Sequence, residues 1–178
     1  MDDKKNILAI CGSTRKQSSN LNLIKAIEIL YAQELLITMY NGLSTLPQFN
    51  PDDDRETPPG EIIELRNQIK QAAGILICTP EYAMGVPGSL KNLLDWTVSS
   101  SDFSNKPVVA ITASSSGAKA HPSLLETLRV IEARVDDNTQ LLISFIKTKV
   151  NDNCEITDQN TLDAVKKVMD AFINLVNT

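Results

Sequence analysis

The sequence predicts an α/β fold in which a five-stranded parallel sheet carries helices on both faces. Two observations indicate this class: short apolar runs recur along the chain, and an amphipathic helical pattern follows each of them. Such alternation is typical of a doubly wound sheet with right-handed crossovers. The length of 178 residues is expected to give a single domain, 1–178.

The five apolar runs differ in polarity, which indicates where each strand lies in the sheet. Continuously apolar runs suit parallel strands covered on both faces, and they occur at 6–11, 74–79 and 107–113. Two more polar runs suit edge strands, at 35–40 and 141–147. Helical stripes expected to pack on the sheet lie at 20–32, 59–73, from 88 onwards, 124–135 and 162–176.

Composition excludes several classes of function. The chain has 17 basic and 22 acidic residues, a net charge of −5, which argues against a nucleic-acid partner. No apolar leader or membrane-length apolar run is present, so we expect no membrane partner and a cytoplasmic location. A metal centre is not expected with a single histidine and no Cys-x-x-Cys. We interpret the acidic run 52–56 as a solvated loop, and His121 as a solvent-facing loop residue.

The loop after the first strand has the features of a phosphate site. Ligands of open parallel sheets bind beyond the carboxyl ends of the strands, where the strand order reverses. Residues 12–20 are rich in hydroxyl groups and open a helix, so their amides form an anion seat, while Arg15 can grip a phosphate through two hydrogen bonds. Helix capping is the simpler interpretation for Ser18, Ser19 or Asn20 taken singly, but the whole cluster favours phosphate binding.

The kind of phosphate is narrowed by two absent motifs. There is neither a Gly-x-x-x-x-Gly-Lys-Ser/Thr loop nor a Gly-x-Gly-x-x-Gly loop, so ATPase and dinucleotide phosphate loops are not indicated. A terminal monophosphate held by hydroxyl groups and one arginine fits better, and FMN ends in such a group.

The loop after the third strand offers a surface for a flat ring. Prolines and glycines in 79–88 fix its shape, and Tyr82 and Met84 provide apolar surface. The amides of 81–83 are expected to meet the polar edge of such a ring. The alternative interpretation is an ordinary rigid turn before a helix.

Both loops resemble the NADPH-dependent FMN reductase family, which includes azoreductase-like, quinone-reductase-like and chromate-reductase-like members. The family pattern Gly-Ser-x-Arg-x-x-Ser-x-Asn is matched by Gly12, Ser13, Arg15, Ser18 and Asn20. The pattern Pro-Glu-Tyr…Pro-Gly-x-Leu-Lys-Asn…Asp-Trp is matched by Pro80, Glu81, Tyr82, Pro87, Gly88, Leu90, Lys91, Asn92, Asp95 and Trp96.

The resemblance implies a flavodoxin-like three-layer sandwich with strand order 2-1-3-4-5, FMN as cofactor, NADPH or NADH as co-substrate, and a homodimer or homotetramer. It implies that the cluster Ser13, Arg15, Ser18, Ser19 and Asn20 surrounds the FMN phosphate. The ring is then lined by Pro80, Glu81, Tyr82 and Ala83, with weaker contacts from Ser114, Ser115 and Gly117. The chain departs from the family at Ala83, where Asn is usual, and in loop 114–120, which lacks paired glycines.

The function implied by the resemblance is an oxidoreductase that works by a ping-pong mechanism. Hydride passes from the nicotinamide to the flavin, and electrons then pass to a small acceptor such as a quinone, an azo compound, free flavin or a metal oxyanion. This scheme needs no side-chain nucleophile, so no catalytic residue is predicted. Two alternatives stay open. One is an electron carrier without NAD(P)H oxidation, against which Arg15 and the second motif argue. The other is a degenerate member that no longer binds flavin, which Ala83 and the altered loop 114–120 suggest.

Five further residues have structural interpretations. We expect Asp95 to support its helix, Lys91 to be a surface charge and Trp96 to pack in a core or dimer contact. Cys11 and Cys78 end neighbouring strands, and we interpret them as inert buried thiols rather than a reactive pair.

Overall fold

The protein forms one five-stranded parallel sheet in the order β2-β1-β3-β4-β5, as predicted. A computed structural model describes residues 4–55 and 57–178. The strands are β1 (Lys5–Cys11), β2 (Leu35–Met39), β3 (Gly74–Thr79), β4 (Val108–Ser114) and β5 (Gln140–Ser144). The helices are α1 (Ser19–Leu30), α2 (Gly60–Gln71), α3 (Gly88–Asp95), α4 (Ala120–Val130) and α5 (Gln159–Val176).

Helices cover both faces of the sheet, and each face has its own apolar core. On one face, α1 and α5 pack against β1, β3 and β4 through buried residues such as Leu23, Ile27 and Phe172. On the other, α2, α3 and α4 bury Leu65, Leu93 and their neighbours. Each fully buried side chain of this size contributes about 1.5–3 kcal/mol, so the two cores together hold the sheet rigid.

The strand order reverses between β1 and β3, and this places the two motif-bearing loops side by side. Cys11 pairs with Cys78 at the carboxyl end of these strands, so the loops that follow begin at neighbouring positions. β4 continues the same edge with Thr79 paired to Thr112. The sheet therefore gathers the loops after β1, β3 and β4 at one edge.

Two elements end earlier than the apolar pattern predicts, each at a residue with left-handed backbone. Phe145 has φ 58° and turns the chain from β5 into a 3-10 helix at Ile146–Thr148, so the strand stops before 147. Glu132 has φ 59°, and α4 ends at Val130 rather than at 135. A single left-handed residue breaks either repeat, although the apolar pattern continues past it.

His121 does not face solvent from a loop, as the sequence suggested, but lies half-buried in the first turn of α4. Its Nδ1 lies 2.9 Å from Thr112 Oγ1 and its Nε2 lies 3.2 Å from Gln140 Oε1. Burial lowers the pKa of its imidazole. Pro122 is accommodated because it stands in the first helical turn, where no intrahelical N–H bond is lost.

The motif residues Lys91 and Asp95 of α3, and Trp96 directly after it, have the structural roles predicted for them. Trp96 is fully buried in the core beside α3, and Lys91 pairs with Asp95 one turn away on the helix surface.

In the acidic run, Asp52 and Asp53 are exposed and Asp52 pairs with Arg55, as a solvated loop predicts. Asp54 departs from that prediction, because its side chain is 4% exposed and bonds to Arg66 at 2.6 Å. Glu56 lies outside the described residues. Across the described ranges, no helix combines the length and the apolar character needed to cross a membrane.

Candidate active site

A cavity of about 540 Å³ opens at the carboxyl edge of the sheet, within the size range of small-molecule sites. Ten of the twelve residues predicted to contact a cofactor line it, and these are Ser13, Arg15, Ser18, Ser19, Asn20, Pro80, Glu81, Tyr82, Ser114 and Ser115. The other two, Ala83 and Gly117, stand outside its lining. The sheet topology has therefore brought together three loops whose residues, such as Ser13 and Ser115, are about 100 positions apart in sequence.

The loop after β1 is held tightly against β3. A Cβ at Gly12 would come within 2.2 Å of Thr79 Oγ1, so only glycine permits this approach. The Gly12 N–H donates to the Cys78 carbonyl at 2.8 Å, which continues the ladder one residue past the strand. Ser13 is consequently fixed at the cavity wall, with its hydroxyl 3.3 Å from that of Tyr82.

The N-terminus of α1 faces this cavity without a side-chain cap. Ser18 occupies the N-cap position, yet its hydroxyl accepts no hydrogen bond from the first-turn amides, and the first turn contains no acidic residue. Simple capping by Ser18 is therefore not what the structure shows. Uncapped N–H groups and the positive end of the helix dipole make a site for an anion, and Arg15 lies exposed at its rim.

Asn20 plays a structural part through its side chain. Its Nδ2 donates to the Ala113 carbonyl at 3.0 Å, and its Oδ1 accepts from the Cys78 thiol at 3.2 Å. Both polar ends of the amide are thus engaged inside the protein, which ties α1 to β3 and β4. Asn20 lines the cavity beside the N-terminus of α1, but its side chain supports the site rather than opening onto it.

Cys11 and Cys78 are both buried below this loop. The Cys11 thiol donates to the Ser13 carbonyl at 3.5 Å, while the Cys78 thiol bonds to Asn20. Burial raises the pKa of both thiols, which keeps them protonated and unreactive. The structure thus agrees with their interpretation as inert buried thiols.

The loop after β3 forms a tight turn that projects one aromatic ring into the cavity rim. Tyr82 and Gly85 exchange backbone hydrogen bonds of 2.9 and 3.0 Å, with Ala83 at φ 48° and Met84 at φ 61° between them. Left-handed backbone at two successive residues with side chains is strained. Tyr82 is 44% exposed and lines the cavity, whereas Met84, 76% exposed, stands at the tip of the turn.

Most of the backbone N–H groups predicted to meet a ring in this loop are instead hydrogen-bonded within the protein. The Tyr82 N–H is taken by the Gly85 carbonyl, and the Glu81 N–H donates to Ser114 Oγ at 3.2 Å. Two of the three amides that we expected to meet a ring edge are therefore already bonded within the protein. The sequence could not show this, because the bonds depend on how the turn closes and on a neighbouring loop.

The carboxylate of Glu81 joins the second and third loops of the site. Its Oε2 accepts the backbone N–H groups of Lys119 and Ala120, each at 2.8 Å, at the start of α4. Both hydrogen bonds lower the pKa of the carboxyl group, and the bond from Ala120 has the larger effect. Because Glu81 also donates its own N–H to Ser114, one residue fixes the loop after β4 at two points.

Asn92 and Trp96 of the second motif hold the long loop that follows β2. Asn92 accepts the Phe49 N–H at 2.7 Å and donates to the Pro47 carbonyl at 2.9 Å, and the Trp96 indole N–H donates to the same carbonyl at 2.9 Å. The Phe49 and Trp96 rings meet edge to face, with centroids 5.1 Å apart. These motif residues therefore support the scaffold and do not line the cavity.

One wall of the cavity was missed by sequence reasoning. It comes from the connection between β5 and α5, together with one further residue of the first loop, and comprises Gln17, Ile146, Lys147, Val150, Asn151 and Asp152. No motif or periodicity singles out these residues. Their placement follows from the parallel sheet, which brings the end of β5 to the same edge as the other loops.

The residues present fit a flavin mononucleotide better than a metal ion. The uncapped helix end, the serine hydroxyls and Arg15 match a phosphate group, and the half-exposed ring of Tyr82 offers a flat apolar surface at the same cavity. Within residues 4–55 and 57–178, no three His, Cys, Asp or Glu side chains converge as a metal ion would require.

Comparisons with known proteins show the family of this chain. The sequence profile of the NADPH-dependent FMN reductase family matches residues 5–148. The quinone reductase of Escherichia coli strain K12 is 30% identical over 97% of this chain and 95% of its own. An NADH:(hydroxy)cinnamate reductase subunit, CrdA, of Vibrio ruber is 28% identical over 94% of this chain and 85% of its own.

The fold also has close counterparts among solved structures. The flavoenzyme NAD(P)H:(acceptor) oxidoreductase FerB from Paracoccus denitrificans superposes with a TM-score of 0.83, at 24% identity over 97% of both chains. Fold, sequence profile and curated relatives thus agree, and the chain belongs to the NADPH-dependent FMN reductase family.

Proposed function

We propose that this NAD(P)H-dependent oxidoreductase holds FMN in the cavity at the carboxyl edge of the sheet. The nucleotide and a small acceptor then bind in turn at the same open side, which gives ping-pong kinetics. Bound FMN would supply the ring that takes up a hydride and returns electrons. The observation that carries this proposal is the α1 N-terminus, which is uncapped, lacks acidic residues and lines the cavity with Ser18 and Ser19.

Different residues of the cavity would bind different parts of FMN. Arg15 and the first-turn amides of α1 would neutralise and orient the phosphate, and Ser13 and Ser115 would bond to the polar chain behind it. Tyr82 would cover the ring edge, and Glu81 would hold the loop after β4 against it. No side chain needs to act as a nucleophile, because positioning is the protein's contribution.

The names of related proteins support a quinone as the electron acceptor. Curated relatives include quinone reductases and a 2-hydroxy-1,4-benzoquinone reductase of Burkholderia, 29% identical over 93% of this chain. A quinone is therefore our first choice, ahead of an azo compound, free flavin or a metal oxyanion. NADPH and NADH both remain candidate donors. The cytoplasmic location stays a prediction.

We also propose that the chain works as a homodimer or homotetramer, with the active site near the subunit boundary. Tyr82 and Met84 support this proposal, because they expose apolar surface beside the cavity. Sedimentation velocity at micromolar concentration tests it: a sedimentation coefficient of one chain would contradict the proposal.

Turnover measurements test the function directly. Protein loaded with FMN should consume NADPH or NADH under anaerobic conditions when benzoquinone is added, with parallel lines in double-reciprocal plots. A protein that binds FMN but oxidises neither nucleotide would be an electron carrier. A protein that leaves the fluorescence of added FMN unquenched would be a member that has lost its flavin.

A further inference from the structure

The connection between β5 and α5 supplies a wall of the cavity that lies outside both family motifs. Residues 146–152 contribute Ile146, Lys147, Val150, Asn151 and Asp152 to the lining. The family profile ends at residue 148, within this segment. The role of these residues is therefore inferred from the geometry of this chain.

The backbone of this wall is anchored at both ends. Ile146 and Val150 are each 4% exposed and pack into the core beneath α1 and α5. Between them, the Val150 N–H donates to the Ile146 carbonyl at 3.1 Å. The Asn22 side chain of α1 donates to the Asn151 carbonyl at 3.1 Å, so the wall is tied to the helix whose N-terminus opens on the cavity. Lys147 thus extends an exposed side chain from a fixed position.

A phosphate monoester carries nearly two negative charges near neutral pH, so a second cation beside Arg15 would strengthen its binding. Among the described residues that line the cavity, the charged side chains are Arg15, Glu81, Lys147 and Asp152. The Glu81 carboxylate is already bonded to two amides of α4, and Asp152 lies 3.5 Å from the Asn22 amide. Arg15, which follows the inner strand β1, and Lys147, which follows the edge strand β5, remain to face the anion.

We propose that Lys147 is a second cationic ligand of the FMN phosphate, acting with Arg15, and that Asp152, which lines the same wall, reduces the affinity. The proposal rests on the proposed function, and it assigns phosphate binding to a loop that the family motifs do not include. Lys147 would act through charge, so its effect should depend on the phosphate and on salt, and not on the ring.

The test compares FMN with riboflavin, which lacks the phosphate. Dissociation constants are measured by quenching of flavin fluorescence at low salt for wild type, Lys147→Gln and the control Lys149→Gln, which removes a neighbouring charge outside the cavity lining. Lys147→Gln should weaken FMN about tenfold, leave riboflavin unchanged and reduce the salt dependence of FMN binding. Lys149→Gln should leave FMN binding within about twofold of wild type. Asp152→Asn should tighten FMN and not riboflavin.

Three outcomes would overturn the proposal and are distinguishable. If wild type prefers FMN to riboflavin and Lys147→Gln binds FMN equally well, the lysine is no ligand while the proposed function stands. If Lys147→Gln weakens FMN and riboflavin alike, the residue shapes the wall and does not contact the phosphate. If wild type binds neither flavin, the proposed function fails together with this inference.

Discussion

The Glu81 carboxylate accepts the backbone N–H of Ala120 at 2.8 Å and thereby fastens the loop after β3 to the first turn of α4. It takes the place of an N-cap, since Lys119 at the N-cap position provides no side-chain acceptor. The motif residue therefore serves the cavity indirectly, by setting the position of Ser114 and Ser115.

We predict that this contact makes stability depend on acid pH. The hydrogen bonds hold the folded pKa of Glu81 below its ordinary value of 4.5, so their stabilising effect is fully present above that pH. The effect is lost as pH falls through the lower, folded pKa. Urea unfolding of wild type and Glu81→Gln should therefore show a stability difference that is largest above pH 4.5 and shrinks as the pH falls below it. A difference that does not change with pH would mean that charge is irrelevant to the contact.

Arg15→Ala is expected to weaken FMN binding by about 1.5–3 kcal/mol, the range for a hydrogen bond to a charged group. Riboflavin affinity should not change, because it has no phosphate to lose. Fluorescence titrations of both flavins measure the effect, and Arg55→Ala, which lies outside the cavity lining, serves as the control. An FMN affinity equal to that of wild type would refute the assignment of Arg15 to the phosphate.

Ala83→Asn should stabilise the fold by about 0.5–1 kcal/mol, because asparagine adopts left-handed backbone more readily than alanine and Ala83 has φ 48°. Thermal and urea unfolding provide the measurement. The matched control is Ala118→Asn, at an exposed loop position whose φ is not positive, and no gain is expected there. Equal effects of the two substitutions would indicate that the turn at 82–85 stores no strain.

Arg66→Ala should lower the free energy of unfolding by about 3–5 kcal/mol. The Arg66 guanidinium bonds to Asp54 at 2.6 Å and lies 3.8 Å from the fully buried carboxylate of Asp102. Its removal leaves two buried charges with less compensation. The exposed pair Arg55–Asp52 provides a comparison within the same loop, and Arg55→Ala should cost less than about 1 kcal/mol. Similar losses in the two variants would show that the Arg66 network is not effectively buried.

The fold was predictable because it depends on a repeating pattern of apolar residues. Strands β1, β3 and β4 each contain a continuous apolar run, such as Ile75, Leu76 and Ile77 in β3, and a buried parallel strand explains such a run best. The bounds of these three strands agree with the prediction to within one residue. The pattern failed where one backbone angle decides the outcome. Phe145 and Glu132 are ordinary residues in left-handed conformation, and composition does not reveal that β5 and α4 end beside them.

The site was predictable only as far as short motifs extend. Ser13, Arg15 and Ser18 follow from one loop, and the sheet order places that loop beside Tyr82. The bond between Glu81 and Ala120 spans 39 residues, and the wall at 146–152 belongs to no motif. Such features depend on how loops pack across the sheet edge, which a local pattern does not specify.

The most direct measurement is a crystal structure of the protein soaked or co-crystallised with FMN. Our account predicts that the phosphate lies above the N-terminus of α1, within hydrogen-bond distance of the backbone N–H of Ser19 or Asn20 and of the Arg15 side chain. The ring should lie against Tyr82. A flavin bound elsewhere, for example in the cavity of about 380 Å³ between β2 and α2, would contradict the account.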